Sequence, residues 1–204
     1  MRRFLVAYAL FTLAFATQHA RAEGPQPDRA ERDAVNDNHT EAPWLWWFDV
    51  MPVGLGAIGE GGFIAQSLSA ELYKAPHVVG LRLAHATEFC LFCPTPALGG
   101  TEVAALYGLG WGNRYVHVAA SLGPAYVQSR RRGHLTQPAG DGWFSVDHYQ
   151  RIDERTVGLA AQSSLAVGGE NIAFVAAFAG NANSAQSFGG VFLGLRAGRL
   201  RASP

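Results

Sequence analysis

Hydrophobic and polar positions alternate with a period of two along much of this chain, most plainly over 114–128, RYVHVAASLGPAYVQ. Side chains alternate across an extended strand. Val116, Val118, Ala120, Leu122, Pro124 and Tyr126 therefore share one face, and His117, Ala119, Ser121, Gly123 and Ala125 the other. A bulky apolar face backed by a small or polar one suits a strand with lipid outside and a narrow, filled lumen inside. Read the same way, the rest of the chain predicts eight strands, near 51–59, 62–73, 77–89, 101–111, 114–128, 155–167, 171–181 and 187–199.

The connections between them differ in length. Tyr73 to Pro76, Gly112-Asn113 and Gly168-Gly169-Glu170 carry the residues that tight turns need. Phe89 to Gly100 and Ser129 to Glu154 are long. Barrels of the outer-membrane type have short periplasmic turns and longer external loops. With the N-terminus in the periplasm, these three turns fall on the periplasmic side and both long segments fall outside. The expected fold is all-β, an eight-stranded antiparallel up-and-down β-barrel of outer-membrane type occupying 44–204.

Parity assigns the faces. Toward lipid point Val79, Leu81 and Leu83 on the third strand, and Val103, Ala105, Tyr107, Leu109 and Trp111 on the fourth. Val157, Leu159, Leu165 and Val167 on the sixth and Val191, Leu193 and Leu195 on the eighth do the same. Inward fall Arg82, Glu88, Glu102, His117, Ser121, Gln162, Ser164 and Arg196. An arginine on the lipid face near the midplane costs about 2–4 kcal/mol, a cost avoided when Arg82 and Arg196 turn inward. There each guanidinium needs an opposite charge or several acceptors. Arg82 with Glu102 or Glu88 meets that need, in a polar lumen network that closes the barrel and sets its register. The same groups would also suit an ion or proton path, but eight strands enclose space only for side chains or one small ligand.

Charge adds to this picture mainly through its placement. The 16 basic and 16 acidic side chains cancel, which argues against a nucleic-acid binder. Between Val103 and Ser129 the only charged residue is Arg114, and between Thr156 and Leu195 it is Glu170. A soluble domain presents a surface on which about a quarter to a third of residues are charged, and bare strands facing water would aggregate. No segment past the N-terminal region has the continuous apolar run of a membrane helix, so strands are left as the means of crossing. Upstream, Arg2 and Arg3 precede the apolar run 4–16, and Ala20-Arg21-Ala22 offers small residues at the cleavage positions. Residues 1–22 read as a cleaved signal peptide. The polar, proline-containing stretch 23–43 reads as a flexible leader. Trp44-Leu45-Trp46-Trp47-Phe48 follows abruptly, either as an interfacial anchor at the periplasmic rim, as a hydrophobic plug, or as the start of the first strand.

Several short motifs carry a resemblance. They are Glu102 with Leu106-Tyr107-Gly108, Arg132-Gly133, Val157-Gly158-Leu159, Gly180-Asn181-Ala182-Asn183 and Gly198-Arg199-Leu200. Over about 50–200 the chain resembles the small eight-stranded outer-membrane barrels, the OmpA-like and OmpX-like group, and more nearly an uncharacterised branch of it. The resemblance implies an outer-membrane location and a structural or surface-interaction role, with a closed polar lumen rather than a wide pore. Outer-membrane lipid is the expected surrounding. A monomer without cofactor, metal or nucleic acid is expected.

Few residues suggest chemistry beyond that. Cys90 and Cys93 form C-x-x-C in an external loop. In an oxidising compartment this reads as a local disulfide. Redox use would want a helix N-terminus, and two thiols alone make an incomplete zinc site. Arg130, Arg131 and Arg132 open the longest segment, near the outer headgroups. Guanidinium forks match phosphate, so lipopolysaccharide is a candidate partner there, with a solvated loop as the alternative. His134, Asp141, Asp147 and His148 fit no metal-binding spacing. A lipid A-modifying enzyme, the rival function, would need Ser, His and an acid within reach of lipid. His117 and Ser121 lie four residues apart on one strand, too far for direct proton transfer at about 3.4 Å per residue. His85 and Thr87 have no carboxylate beside them. No catalytic residue is expected. A secreted soluble barrel that binds an apolar ligand is the third reading.

Overall fold

The computed structural model describes residues 44–58, 61–89, 94–113, 115–140 and 145–199. These form β1 (Leu45–Ile58), β2 (Gly61–Lys74), β3 (His77–Glu88), β4 (Gly99–Gly112), β5 (Val116–Gln137), β6 (His148–Gly168), β7 (Ile172–Asn183) and β8 (Phe188–Arg199). Each strand pairs antiparallel with the next, and β8 returns to β1, where Trp46 faces Arg199 and Ile58 faces Phe188. Closure removes the free sheet edges that would otherwise invite aggregation. From Val50 the register runs through Leu68, Leu83, Val103 and Tyr126 to Val157 on β6. In the other direction it runs through Leu195 and Phe174 to Val167 on the same strand. That offset is the stagger that tilted strands must adopt to close.

The alternation predicted for the third, fourth, fifth, sixth and eighth strands is present, and it extends to β2 and β7, where the sequence pattern is less regular. On β2, Phe63, Ala65, Ser67, Ser69 and Glu71 are buried, while Ile64, Leu68 and Leu72 are exposed. The turns at the end of the barrel that holds the start of β1, here the base, are held locally. Asn113 Oδ1 accepts from the Tyr115 and Val116 amides at 2.9 and 3.0 Å, and Gly169 N donates to Ile172 O at 2.8 Å.

The structure corrects three expectations about elements. β1 begins at Leu45 rather than near 51, so the tryptophan cluster is itself strand. Its pleat sends Trp46 and Phe48 outward and Trp47 inward. Ser129 to Glu154 is not a long loop: β5 runs on to Gln137 and β6 starts at His148. Beyond the apolar band both faces of a ladder are polar, so alternation is lost while pairing persists. Connection lengths also do not separate cleanly between the two ends. The outer end carries the two-residue link 59–60 and the short link 184–187 as well as the longer ones.

Small side chains let the barrel close tightly. A Cβ on Gly108 would stand 2.0 Å from Ala120 O, a backbone atom on the neighbouring strand. Toward the outer end the lumen is apolar. Met51, Ile58, Phe63, Phe188 and Phe192 are buried together there, with the Phe63 ring 5.8 Å from Phe188 and 6.4 Å from Phe192. Polar groups lie below them and, at Asn181, beside Phe188.

Candidate functional site in the lumen and at the outer rim

The consecutive strands β1 and β2 meet β8 across the barrel seam, and three charged side chains converge there near the base. Asp49 on β1, Glu71 on β2 and Arg196 on β8 all point inward because each shares parity with its strand's buried set. Arg196 donates from Nε and Nη2 to the two Asp49 oxygens at 2.7 Å each. Its Nη2 also reaches Ser164 Oγ at 3.3 Å, and its Nη1 lies 3.1 Å from His117 Nδ1. The guanidinium stands over the Trp47 ring, 4.5 Å from the centroid, an arrangement favoured by the ring quadrupole. Trp47 Nε1 donates to Glu71 Oε2 at 3.0 Å. His117 packs edge-on against Trp47 and Tyr73, and its Nδ1 faces Arg196 rather than Ser121.

A second knot lies at mid-height. Arg82 donates from Nε and Nη2 to Glu102 Oε1 at 2.9 and 2.6 Å. Its remaining N–H groups reach Ala161 O and Gly180 O at 3.0 Å and Gln162 Oε1 at 3.3 Å. A guanidinium has five N–H donors, and all are used, which is what burial of this charge requires. Asn181 Nδ2 donates to Glu102 Oε2 at 2.6 Å. Gln162 joins the two knots, accepting from Arg82 and donating from Nε2 to Glu71 Oε1 at 3.1 Å. From Asn181 the network continues to Asn183 at 2.7 Å. Asn183 Oδ1 in turn holds the Ala185 and Gln186 amides at 2.8 Å. The turn 184–187, at the end of the barrel opposite the base, is thereby tied to the centre of the lumen.

Of the residues singled out in the sequence, Arg82, Glu102, Gln162, His117 and Arg196 meet in this network, and Ser164 touches it. Glu88 does not pair with Arg82. It lies at the outer rim, where Arg132 Nη2 and the Leu98 amide, at 3.2 Å, bond Glu88 Oε2. The sequence reading missed Asp49, Glu71, Trp47 and Asn181. Asp49 lay upstream of the predicted first strand, and Glu71 lay on a strand of uncertain register. Carrying the alternation back through Trp47, Asp49 and Met51 would have found the first.

At the rim, the three consecutive arginines stand on β5 and not in a loop. Arg132 donates to Pro94 O at 3.0 Å and Pro96 O at 3.1 Å as well as to Glu88. Thr95 bonds the backbone of Asp147 and Tyr149 at 2.9 and 2.7 Å and meets His148 Nδ1 at 2.7 Å. Residues 94–98 are thus clamped against the outer end of β6. Arg131 pairs with Glu154, and Arg130 lies 3.7 Å from Asp153. Hydrogen bonds from Arg151 hold the Asp153 carboxyl below its ordinary range. Among the described residues no three His, Cys, Asp or Glu side chains converge as a metal site. Cys90, Cys93, Asp141, the signal segment and the leader lie outside the described residues.

The outer surface is an apolar band. Near the base it carries a collar of aromatic side chains, with Trp44, Trp46, Phe48, Trp111, Tyr115 and Phe174 exposed, and Lys74 stands over the Trp44 ring at 5.6 Å. Above the collar come the exposed residues Leu81, Leu122, Leu159 and Leu193. A polar lumen inside an apolar wall with an aromatic collar inverts the usual arrangement of a soluble domain and matches a transmembrane barrel.

No family model matches the chain, and no curated protein matches it in sequence. Its fold is similar to that of Neisserial surface protein A, with a TM-score of 0.54 and 9% identity over 76% of this chain and 96% of that one. It is also similar to Ail, the attachment invasion locus protein of Yersinia pestis, with a TM-score of 0.50 and 13% identity over 78% of this chain and 99% of that one. The chain has the fold of the small eight-stranded outer-membrane β-barrels.

Proposed function

We propose that this chain is an integral β-barrel of the bacterial outer membrane, exported through a cleaved signal peptide, with a structural or surface-interaction role. One observation carries the reading: a predominantly apolar outer wall surrounds a lumen occupied by bonded side chains. Arg82 and Arg196 are each clamped by several acceptors at different heights, so an aqueous path through the centre would require breaking both knots. The barrel therefore acts as a closed scaffold that presents its outer end, and not as a wide pore. Cys90 and Cys93 form a local disulfide in this reading. Phosphate groups of lipopolysaccharide lie beside the basic residues of β5 and β6.

Membrane fractionation combined with an epitope inserted between Ala139 and Gly140 tests the proposal. Pro138, Ala139 and Gly140 are exposed, so antibody should bind intact cells and the protein should stay with the outer-membrane fraction. Binding only after the outer membrane is breached would reverse the topology, and recovery in the soluble fraction would end the membrane reading.

A further inference from the structure

The β5–β6 hairpin leaves one stretch of strand edge open. The last β6–β7 pair is Gly158 with Asn183, while β6 stays paired with β5 as far as His148. Residues 150–157 therefore have a strand on one side only. Alternate residues of an antiparallel strand turn their backbone groups to opposite neighbours. Gly168 N donates to Tyr115 O on the β5 side, and Gly169 N to Ile172 O on the β7 side. The pairing of β6 with β5 runs without a shift from Val167 to Arg151, so its odd-numbered residues face the β7 side throughout. Tyr149 fits that parity: its N donates to Thr95 O at 2.7 Å, and Thr95 N donates to Asp147 O at 2.9 Å. A short piece of the chain is thus already seated on this edge at its outer end. Between that piece and β7, the N–H and C=O groups of Arg151, Asp153 and Arg155 meet no strand among the described residues, and all three residues are exposed.

Side chains on the same stretch favour one kind of occupant. Arg151, Asp153 and Arg155 share one face with Arg130, the cross-strand partner of Asp153. That single carboxylate is held by Arg151 Nε at 2.9 and 2.7 Å, and Arg130 lies 3.7 Å away. Arg155 has no carboxylate partner among the described residues, while Arg131 and Arg132 are engaged with Glu154 and Glu88. Three guanidinium groups thus share this face with one acid. We propose that the open edge of β6 is a docking site for an extended, acidic peptide segment of a partner protein. The segment pairs through its main chain with Arg151, Asp153 and Arg155 and sets two carboxylates against Arg151 and Arg155. This rests on the surface-interaction role above and specifies it. In strand addition, main-chain hydrogen bonds give affinity and alternate side chains give specificity. Charged residues guard an edge against indiscriminate pairing, and a second copy of this chain brings the same positive surplus and is repelled. A phosphate also suits an arginine, but it has no use for the carbonyls that alternate with the amides here.

Nuclear magnetic resonance titration of the isotope-labelled full chain in detergent micelles tests the assignment. The probe is a synthetic peptide of alternating valine and threonine with glutamate at two positions four residues apart. The same peptide with lysine at those positions, and lipopolysaccharide, are titrated in parallel. The glutamate peptide should bind several-fold more tightly than the lysine peptide. It should shift the amide signals of Arg151, Asp153 and Arg155 more than those of Ile152 and Glu154, whose amides face β5. Arg155→Glu should reverse the preference between the peptides. Asp153→Pro removes the middle donor from the open edge, spares the bonds to β5 and adds to the positive surplus. Weaker binding by this variant therefore reports main-chain pairing, because charge alone predicts tighter binding. Unchanged heat-modifiable migration would show that both variants still form the barrel. Equal binding of the two peptides, undiminished binding by Asp153→Pro, or shifts at Arg151 and Arg155 with lipopolysaccharide alone would overturn the docking site. None of these outcomes touches the outer-membrane placement, which fails instead if the protein is recovered from cells in the soluble fraction.

Discussion

Arg82 has no side-chain exposure and uses every donor it has. Replacing it by Leu leaves the Glu102 carboxylate buried with Asn181 as its remaining partner. Loss of one member of a buried pair commonly costs about 3–5 kcal/mol. Urea unfolding of Arg82→Leu in one fixed detergent should show a loss of that order, and a variant as stable as the wild type would dissolve the inward network. Removing Glu102 as well, in Arg82→Leu/Glu102→Leu, should recover part of the loss, because the orphaned charge goes with its partner. Trp47 plays a different part, since its ring meets Arg196 and its N–H meets Glu71. Trp47→Phe keeps a ring but drops the donor, and the expected destabilisation is about 1–3 kcal/mol, the range for leaving a buried acceptor short of a partner.

Between neighbouring strands the limits are steric and environmental. At Gly108 the backbone of β5 leaves no room for a methyl group, and a backbone atom cannot swing aside as a long side chain can. Gly108→Ala should therefore lower both the yield of heat-modifiable barrel on refolding and its resistance to urea. Leu81, near the middle of the outward face of β3, is 62% exposed. If that surface meets lipid, Leu81→Arg should cost about 2–4 kcal/mol in a bilayer, whereas on a surface facing water it would be close to neutral. Refolding titrations in lipid vesicles separate the two. In the outer part of the β5–β6 hairpin, the half-exposed Arg131–Glu154 pair should matter far less. Arg131→Gln is expected to change stability by no more than about 1 kcal/mol, as exposed ion pairs do.

For the molecule as a whole, the closed register and the occupied lumen make one cooperative unit. Long-range pairing between β1 and β8 joins the two ends of the barrel, and Gly198 sits at this seam with φ of 153° and a backbone neighbour where a side chain would go. A barrel that cannot close should not form its lumen knots, because Arg196 on β8 reaches Asp49 on β1 only across that seam. Loss of the seam and loss of the knots should therefore coincide in a single unfolding transition. In planar bilayers the wild type should show no large, stable conductance steps, and because two knots block the lumen, conductance should rise in the double variant Arg82→Leu/Arg196→Leu and not in Arg82→Leu alone.

The strand count, the alternation and the inward direction of Arg82, Glu102, His117, Gln162 and Arg196 were legible in the chain, because a period of two needs only local spacing and the lipid-facing cost of an arginine fixes the parity. The resemblance to small outer-membrane barrels was legible from short motifs such as Leu106-Tyr107-Gly108 and Gly180-Asn181-Ala182-Asn183. Boundaries failed where that logic lapses. In the β5–β6 extension both faces meet polar surroundings, so strand and loop look alike. At Trp44 to Phe48 the hydrophobic residues are continuous, so the pleat is hidden. Pairing inside the lumen was beyond local spacing altogether. Arg82 takes Glu102 and not Glu88, and Arg196 finds Asp49 across 147 positions of sequence, because strand stagger and closure decide which inward side chains share a height.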